Sequence, residues 1–260
     1  MIELDLNNPN HAYFIGFAQA DGTLCKNTRN RGKFQIELQY EDGKILEDLS
    51  QLLDCNYSIT NRIRDTNFKK GYHSCCLSVH DKGFRDEISK YIPYGKKSNI
   101  VKMPQGVKRN DYFRGIIDGD GSVGFTSNGY PFVSLVTDSE FLAKEYIQYI
   151  KDITNKEKHT TRNSRDGVFN ICVLKEDAQK LVKDMYYENC LSLQRKYEKA
   201  KDILKWQRPK NMKVRISKRW DDFQDEYILT HSIEDSMSKL NRSKNSICCR
   251  LNRLKNDVNY

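Results

Sequence analysis

The 260-residue chain predicts an α+β fold: two tandem α-β-β-α-β-β-α units, followed by a small module of three helices. Three observations predict it. A short pattern occurs twice, as Phe14-Ile-Gly-Phe-Ala-Gln-Ala-Asp21-Gly22 and Phe113-Arg-Gly-Ile-Ile-Asp-Gly-Asp120-Gly121, with matched positions 99 residues apart. After each copy the apolar residues alternate, then take helical spacing, then alternate again. The last stretch changes character: Gln207 to Tyr260 carries 12 basic and 7 acidic residues, so five of the nine net positive charges lie there.

In the first unit Asn8 is an N-cap with Pro9 at the first helical position, and the helix runs over 9–21. Alternation in 23–27 and 34–40, around a basic turn at 28–33, reads as a hairpin. Ile45, Leu46, Leu49, Leu52 and Leu53 share one face of a helix over 43–53. A second hairpin covers 57–64 and 72–79, and Asp81 caps a helix carrying Phe84, Ile88 and Tyr91. The second unit repeats the order: helix 111–120, strands 122–126 and 131–137, helix 139–153, strands 157–163 and 167–174, helix 175–187. The domains follow as a first unit over 1–101, a connection over 102–110 containing Pro104 and Gly106, and a second unit over 111–206. A basic linker over 207–219 then leads to helices between 220 and 260, whose core is Trp220, Ile228, Leu229, Leu240, Ile247 and Leu251.

The repeated pattern carries chemistry as well as packing. Gly16 stands four residues before Ala20, and Gly115 four before Gly119, so the two helices can pack with their backbones nearly touching. Gly22 and Gly121 read as helix stops. If the helices run in the same direction, Asp21 and Asp120 converge beside two helix C-termini, where negative charge is disfavoured. A divalent, oxygen-ligated cation relieves that repulsion; Mg²⁺ is the expected ion. The ordinary alternative is plain helix packing with the aspartates as surface residues. Lys97 and Lys196, and Lys96 and Arg195, keep the same separation of 99, which no composition argument forces.

The net charge of +9, with 44 Lys and Arg against 35 Asp and Glu and a pI near 9.0, implies an acidic partner, and nucleic acid is the usual one. No apolar run is long enough to span a membrane, and the start MIELDLNNPN lacks a signal peptide's basic and apolar regions. The eight cysteines form no Cys-x-x-Cys pattern, which argues for packed thiols in a reducing, intracellular compartment and against zinc.

The two motifs resemble the signature helices of single-chain LAGLIDADG homing endonucleases, over about residues 9–205. The resemblance implies two repeats related by a pseudo-twofold, each laying a curved antiparallel sheet along the DNA major groove. It implies a monomeric enzyme that binds double-stranded DNA and hydrolyses phosphodiester bonds of both strands across the minor groove. By position, the metal ligands are Asp21 and Asp120, joined by the carbonyls of Ala20 and Gly119, with Mg²⁺ as cofactor, Mn²⁺ as a substitute and Ca²⁺ as a non-cleaving ion. Lys97 and Lys196 are implied to meet charge developing on the phosphate, although solvated lysines on a basic protein are the ordinary alternative. Gln39, at a strand end, is implied to position a water. The motif departs once: its earlier acid is Asp118 in the second copy but Gln19 in the first.

Target reading falls to the strands. The candidates are Lys26, Asn27, Arg29, Arg31, Lys33, Gln35 and Glu37 in the first hairpin and Asn61, Arg62 and Arg64 in the next. Their counterparts in the second unit are Thr126, Asn128, Lys158, Arg162 and Arg165. The tail is similar to small Myb-like or helix-turn-helix modules, with Lys244, Asn245 and Arg250 facing DNA; a protein-contact module is the alternative there. Two other functions stay open on the same fold: a maturase that binds intron RNA, and a regulator that binds DNA without cutting it.

Overall fold

In the computed structural model Asn8 accepts the Asn10 amide at 2.9 Å, and α1 runs Pro9–Asp21. The structure describes residues 3–26, 32–65, 67, 70–210, 212 and 220–257, with side chains to 255. The expected basic turn and linker fall largely outside those residues, as do Asn27, Arg29 and Arg31. Two compact units are present, Met1–Arg208 and Pro209–Tyr260.

In the first unit, α1 leads into β1 (Gly22–Cys25), β2 (Lys33–Gln39), a short 3₁₀ turn at Tyr40–Asp42 and α2 (Lys44–Ser50). Next come β3 (Tyr57–Arg64), β4 (Tyr72–Val79) and α3 (Lys82–Ile88), with Asp81 accepting the Phe84 amide at 2.8 Å. The strands form one antiparallel sheet in the order β1-β2-β4-β3. Alternation puts Phe34, Ile36 and Leu38 on its core side, where Phe34 meets Phe84 edge-on, ring centroids 5.5 Å apart.

After α4 (Arg109–Asp120) come β5 (Gly121–Phe125), β6 (Pro131–Thr137) and α5 (Glu140–Thr154), which Ser139 caps. Then follow β7 (Phe169–Leu174), α6 (Lys175–Met185) and α7 (Gln194–Lys205). The second sheet has three strands, β5-β6-β7. The expected strand over 157–163 does not form; only a single bridge joins Arg162 to Phe169. The segment is polar throughout, so no apolar alternation fixes it to the core. Instead its side chains reach the β7 backbone: Lys158 Nζ donates to Cys172 O at 3.1 Å and Thr160 Oγ1 to Asn170 O at 3.4 Å. The sequence reading missed α7, which buries Lys196, Ala200 and Ile203 against α6 and β5.

At the centre of this unit α1 and α4 lie against one another. A Cβ at Gly16 would overlap the Tyr112 carbonyl oxygen; one at Gly115 would overlap that of Tyr13 and stand 2.7 Å from Phe17 N. Further along, Gly119 abuts the Ala20 side chain, so the contacts advance along both helices together and the two run in the same direction. Six residues of α1, Ala12 to Ile15 with Phe17 and Ala18, are fully buried, as expected of a helix enclosed on all sides. Gly22 and Gly121 follow the last residues of α1 and α4, as expected of helix stops, though not in left-handed geometry. Their φ angles are −72° and −93°, open to any residue, and space is what selects glycine: a Cβ at Gly22 would lie 2.9 Å from the Phe34 ring.

The smaller compact unit, Pro209–Tyr260, contains α8 (Asp222–Thr230), α9 (Ile233–Leu240) and α10 (Lys244–Asp257) among its described residues. Asp221 and Ser232 cap the first two. Among the described residues Ile228 and Ile247 are its buried apolar residues, whereas Leu229, expected in the core, is 55% exposed. Trp220 is covered by the Arg242 guanidinium, 3.9 Å from its ring centroid.

Candidate metal and nucleic-acid site

The parallel course of α1 and α4 brings their last residues, Asp21 and Asp120, to the same end of the pair. The Asp21 carboxylate leans over the other helix: a Cβ on Gly119 would lie 3.2 Å from Asp21 Oδ2. Burial, and then the Asp120 charge, raise the Asp21 carboxyl from 3.8 to about 6. Asp120 is more open to solvent but is also raised, chiefly by the protein that surrounds it, while Lys97 and Lys196 act the other way. Two carboxylates that resist ionisation are thus held where water alone compensates them poorly.

Two lysines answer the helix ends. Lys97 Nζ donates to the carbonyls of Ala18 at 3.0 Å and Ala20 at 2.8 Å, and to that of Gly22. Lys196 Nζ donates to those of Ile117 and Asp118 at 2.6 Å and Gly121 at 2.8 Å. Each ammonium therefore places all three donors on carbonyls left open at a helix C-terminus. Burial lowers both from 10.5 to about 8, against the pull of the acids. Their matched spacing reflects matched helix ends. The Ala20 carbonyl already has one donor in Lys97, and Gly119 packs on Ala20.

The motif's one mismatch is structural. Asp118 is fully buried and accepts Tyr13 OH at 2.8 Å, Tyr186 OH at 2.7 Å and the Leu193 amide at 2.7 Å. Gln19 accepts Tyr112 OH and donates to the carbonyls of Tyr91 at 2.9 Å and Lys102 at 3.1 Å. Each side chain takes a tyrosine hydroxyl from the facing helix and ties down the chain that follows α3 or α6, a task that either an acid or an amide performs.

The first sheet's outer face carries Lys33, Gln35, Glu37 and the exposed Gln39 on β2. Glu37 accepts Ser74 Oγ at 2.7 Å and pairs with Arg64 at 2.9 Å and Arg62 at 3.9 Å. Ser74 was missed by sequence; its partners Gln39 and Arg62 in the register show which face it shares. Asn61 does not join them: it pairs with Cys75, opposite the buried Leu38, on the core-facing side. Lys26 lies with its ammonium 4.6 Å from the Tyr94 ring centroid.

The second-unit candidates sit in turns and coil rather than on strands. Thr126 closes the 126–130 turn by accepting the Tyr130 amide at 3.1 Å, with Asn128 exposed at its tip. Arg165 lies in the 163–167 turn, and Arg162 pairs with Asp138 at 2.9 Å while covering the Phe169 ring. The outer face of β6 and β7 is instead Phe132, Ser134, Val136, Asn170, Cys172 and Leu174, far less polar than its counterpart; the alternation of 131–137 and 169–174 carried that signal. In the tail unit Lys244 and Asn245 are exposed, whereas Arg250 is half-buried in a two-point ion pair with Asp225, Nε to Oδ1 at 2.8 Å.

Hard oxygen donors, the partial burial of Asp21 and the repulsion it receives from Asp120 fit the two acids to a divalent cation. Among the described residues no cluster of three or more acidic, histidine or cysteine side chains forms a complete cage. A Mg²⁺-type ion needs none, since it keeps water and takes one or two carboxylates together with substrate phosphates.

Residues 8–91 match the family model described as LAGLIDADG-like domain. The match covers α1 through α3 of the LAGLIDADG-like segment and so includes Asp21, Gln39 and the first sheet. Among solved structures, the homing endonuclease I-WcaI bound to its DNA recognition sequence has a TM-score of 0.52 at 13% identity, over 76% of this chain and 88% of that one. I-SmaMI bound to uncleaved DNA target in the presence of calcium ions has a TM-score of 0.50 at 12% identity, over 76% and 90%. The chain shares the mixed α+β fold of these two proteins. Comparison with curated protein sequences gives no match. Among the described residues no helix is long and apolar enough to cross a membrane.

Proposed function

We propose that the chain is a site-specific, metal-dependent DNA endonuclease of the homing type, acting as a monomer whose two halves are related by a pseudo-twofold. The observation that carries this reading is the convergence of Asp21 and Asp120 at one end of two abutting, same-direction helices. The likeness of its fold to I-WcaI and I-SmaMI, both bound to DNA, supports it. The +9 charge supports a polyanionic partner.

In this reading Asp21 and Asp120 hold Mg²⁺, with Mn²⁺ as a substitute and Ca²⁺ as a non-cleaving ion. When bound, the cation supplies Lewis acidity that activates water and stabilises the leaving oxygen. Lys97 and Lys196 position rather than donate to substrate: they neutralise the helix ends, so both acids can ionise side by side. Gln39, exposed at the end of β2, orients water at the scissile phosphate. Lys33, Gln35, Glu37, Arg62 and Arg64 read one half-site, and the second sheet reads the other largely through apolar contact with base edges. The tail unit acts as a helix-turn-helix module that adds affinity through Lys244 and Asn245.

Selection from a randomised duplex library tests the reading, with Mg²⁺ for cleaved and Ca²⁺ for bound sequences. A selected duplex is cut in both strands by the wild type and only bound by Asp21→Asn or Asp120→Asn. A duplex bound but never cut with Mg²⁺ or Mn²⁺ makes the chain a regulator, and preferential binding of intron RNA makes it a maturase.

A further inference from the structure

One charged pair joins the two halves of the larger unit beside this site. Arg195, at the start of α7, donates through Nε to Oδ1 and Oδ2 of Asp42 at 3.0 Å each. Asp42 lies in the turn after β2, 153 residues away in sequence and three positions beyond Gln39. The carboxylate is mostly enclosed, its side chain 13% exposed, while that of Arg195 is 58% exposed. The four N–H groups on its two terminal nitrogens make no other hydrogen bond among the described residues, so a guanidinium edge stays available.

Its position is set from two sides. Lys196, the next residue, caps the end of α4 through Ile117, Asp118 and Gly121. The Asp21 carboxylate leans over that same end at Gly119. Lys96, 99 residues earlier, is exposed and has no ion-pair partner among the described residues. Because Asp42 belongs to the half that contains Asp21, that half has an oriented guanidinium that the Asp120 half lacks.

We propose that Arg195 is the phosphate clamp of the Asp21 half: it is held by Asp42 in the free protein and grips a backbone phosphate of the strand cut there, so the two strands are cut at unequal rates. A guanidinium suits this task because its planar fork matches phosphate as it matches carboxylate, with donors to spare while Asp42 keeps one edge. Asp42 orients the group before DNA arrives.

The proposal rests on the nuclease reading, and its test separates the two. The probe is a duplex recovered from the randomised library, carried on a supercoiled plasmid and, separately, labelled at both 5′ ends. Arg195→Ala slows one strand by about ten- to hundredfold, as expected for losing a charged hydrogen bond, and the other by less than twofold, so nicked circles accumulate. Arg195→Lys restores part of the rate. Asp42→Asn, which frees the guanidinium, keeps the rate of that strand or raises it. With Ca²⁺, the slope of log binding constant against log salt falls by about 0.9 for Arg195→Ala and does not fall for Asp42→Asn. If both variants slow both strands alike, the pair is only a tie between halves and the clamp is wrong; an unchanged salt slope in Arg195→Ala is equally fatal to it. A wild type that binds the duplex yet nicks neither strand overturns the nuclease reading itself, and the clamp with it.

Discussion

Replacing Asp21 by Asn removes the central acid of the proposed site and should stabilise the metal-free protein. The folded state holds this carboxyl at about 6, against 3.8 for an unperturbed aspartate, and that value is already net of the attractions of Lys97, Lys196 and Arg195. Between those two pH values the folded protein keeps a proton that the unfolded chain has released, so stability falls as pH rises through the window. At about 1.4 kcal/mol per pKa unit, the full cost of ionised Asp21 above pH 6 is roughly 3 kcal/mol, of which relaxation and water access leave about 1–2 kcal/mol to be measured. The lysines act at higher pH with the opposite sign. Their folded pKa values, about 8, lie below the ordinary 10.5, so stability is regained as pH rises from 8 towards 10.5. These three groups together thus lower the stability of the metal-free protein most between about pH 6 and 8, where a cation relieves them.

The assay is thermal unfolding in EDTA at pH 4 and pH 7.5, followed by saturation with Mg²⁺. For a unit of this size, Asp21→Asn should raise Tm by about 3–6 °C at pH 7.5 and by less than about 1 °C at pH 4. With Mg²⁺ the wild type gains stability and the variant gains less, because only the former offers both carboxylates to the ion. A lower Tm for the variant at pH 7.5, or an equal gain at both pH values, would refute the argument that these acids are electrostatically frustrated.

Further expectations follow from the packing and the outer face. Gly115→Ala forces a Cβ into the Tyr13 carbonyl and should cost about 3 kcal/mol or more in urea unfolding, since backbone cannot yield as a side chain does. Asp118→Ala leaves two tyrosine hydroxyls and the Leu193 amide unpaired in the core; a loss of about 3 kcal/mol or more is expected, and a change under about 1 kcal/mol would contradict the buried network. Glu37→Gln releases Arg62 and Arg64, so fluorescence anisotropy should show binding to non-cognate duplex a few-fold tighter with a steeper salt dependence. Unchanged affinity would mean that neither arginine meets phosphate.

What the sequence disclosed about this molecule depends on whether a contact leaves a local mark. Close approach of α1 and α4 does: only glycine at 16 and 115 avoids collision with a facing carbonyl, so the requirement is written twice at helical spacing. The strands were legible where one face is buried, as in Lys33–Gln39, and not in 157–163, where no residue is apolar enough to choose a side. Helix α7 escaped notice because lysines surround the few residues it buries. Lys97 and Lys196 were found through their equal separation, but their partners are backbone carbonyls, which every residue carries and no pattern marks. Arg195 was marked by its separation from Lys96, but nothing in the sequence marks its partner Asp42, 153 residues away.

These differences divide the chain by what each position must fit. Tyr13 and Tyr112, Gly16 and Gly115, and Lys97 and Lys196 lie 99 apart and act at the helix pair, where each half packs against the other; a change on one side meets its counterpart across the junction. The outer faces meet no counterpart. There the first sheet offers Gln35, Glu37, Arg62 and Arg64, and the second offers Phe132, Val136 and Leu174. Two like surfaces suit a palindromic partner, in which both half-sites present the same groups. Unlike surfaces on a matched helix pair fit a target whose half-sites differ, the first read through polar base edges and the second through apolar contact such as thymine methyls. Half-site preferences from the library selection decide this: an asymmetric consensus upholds it, and a palindrome would require the two faces to read the same bases with different chemistry.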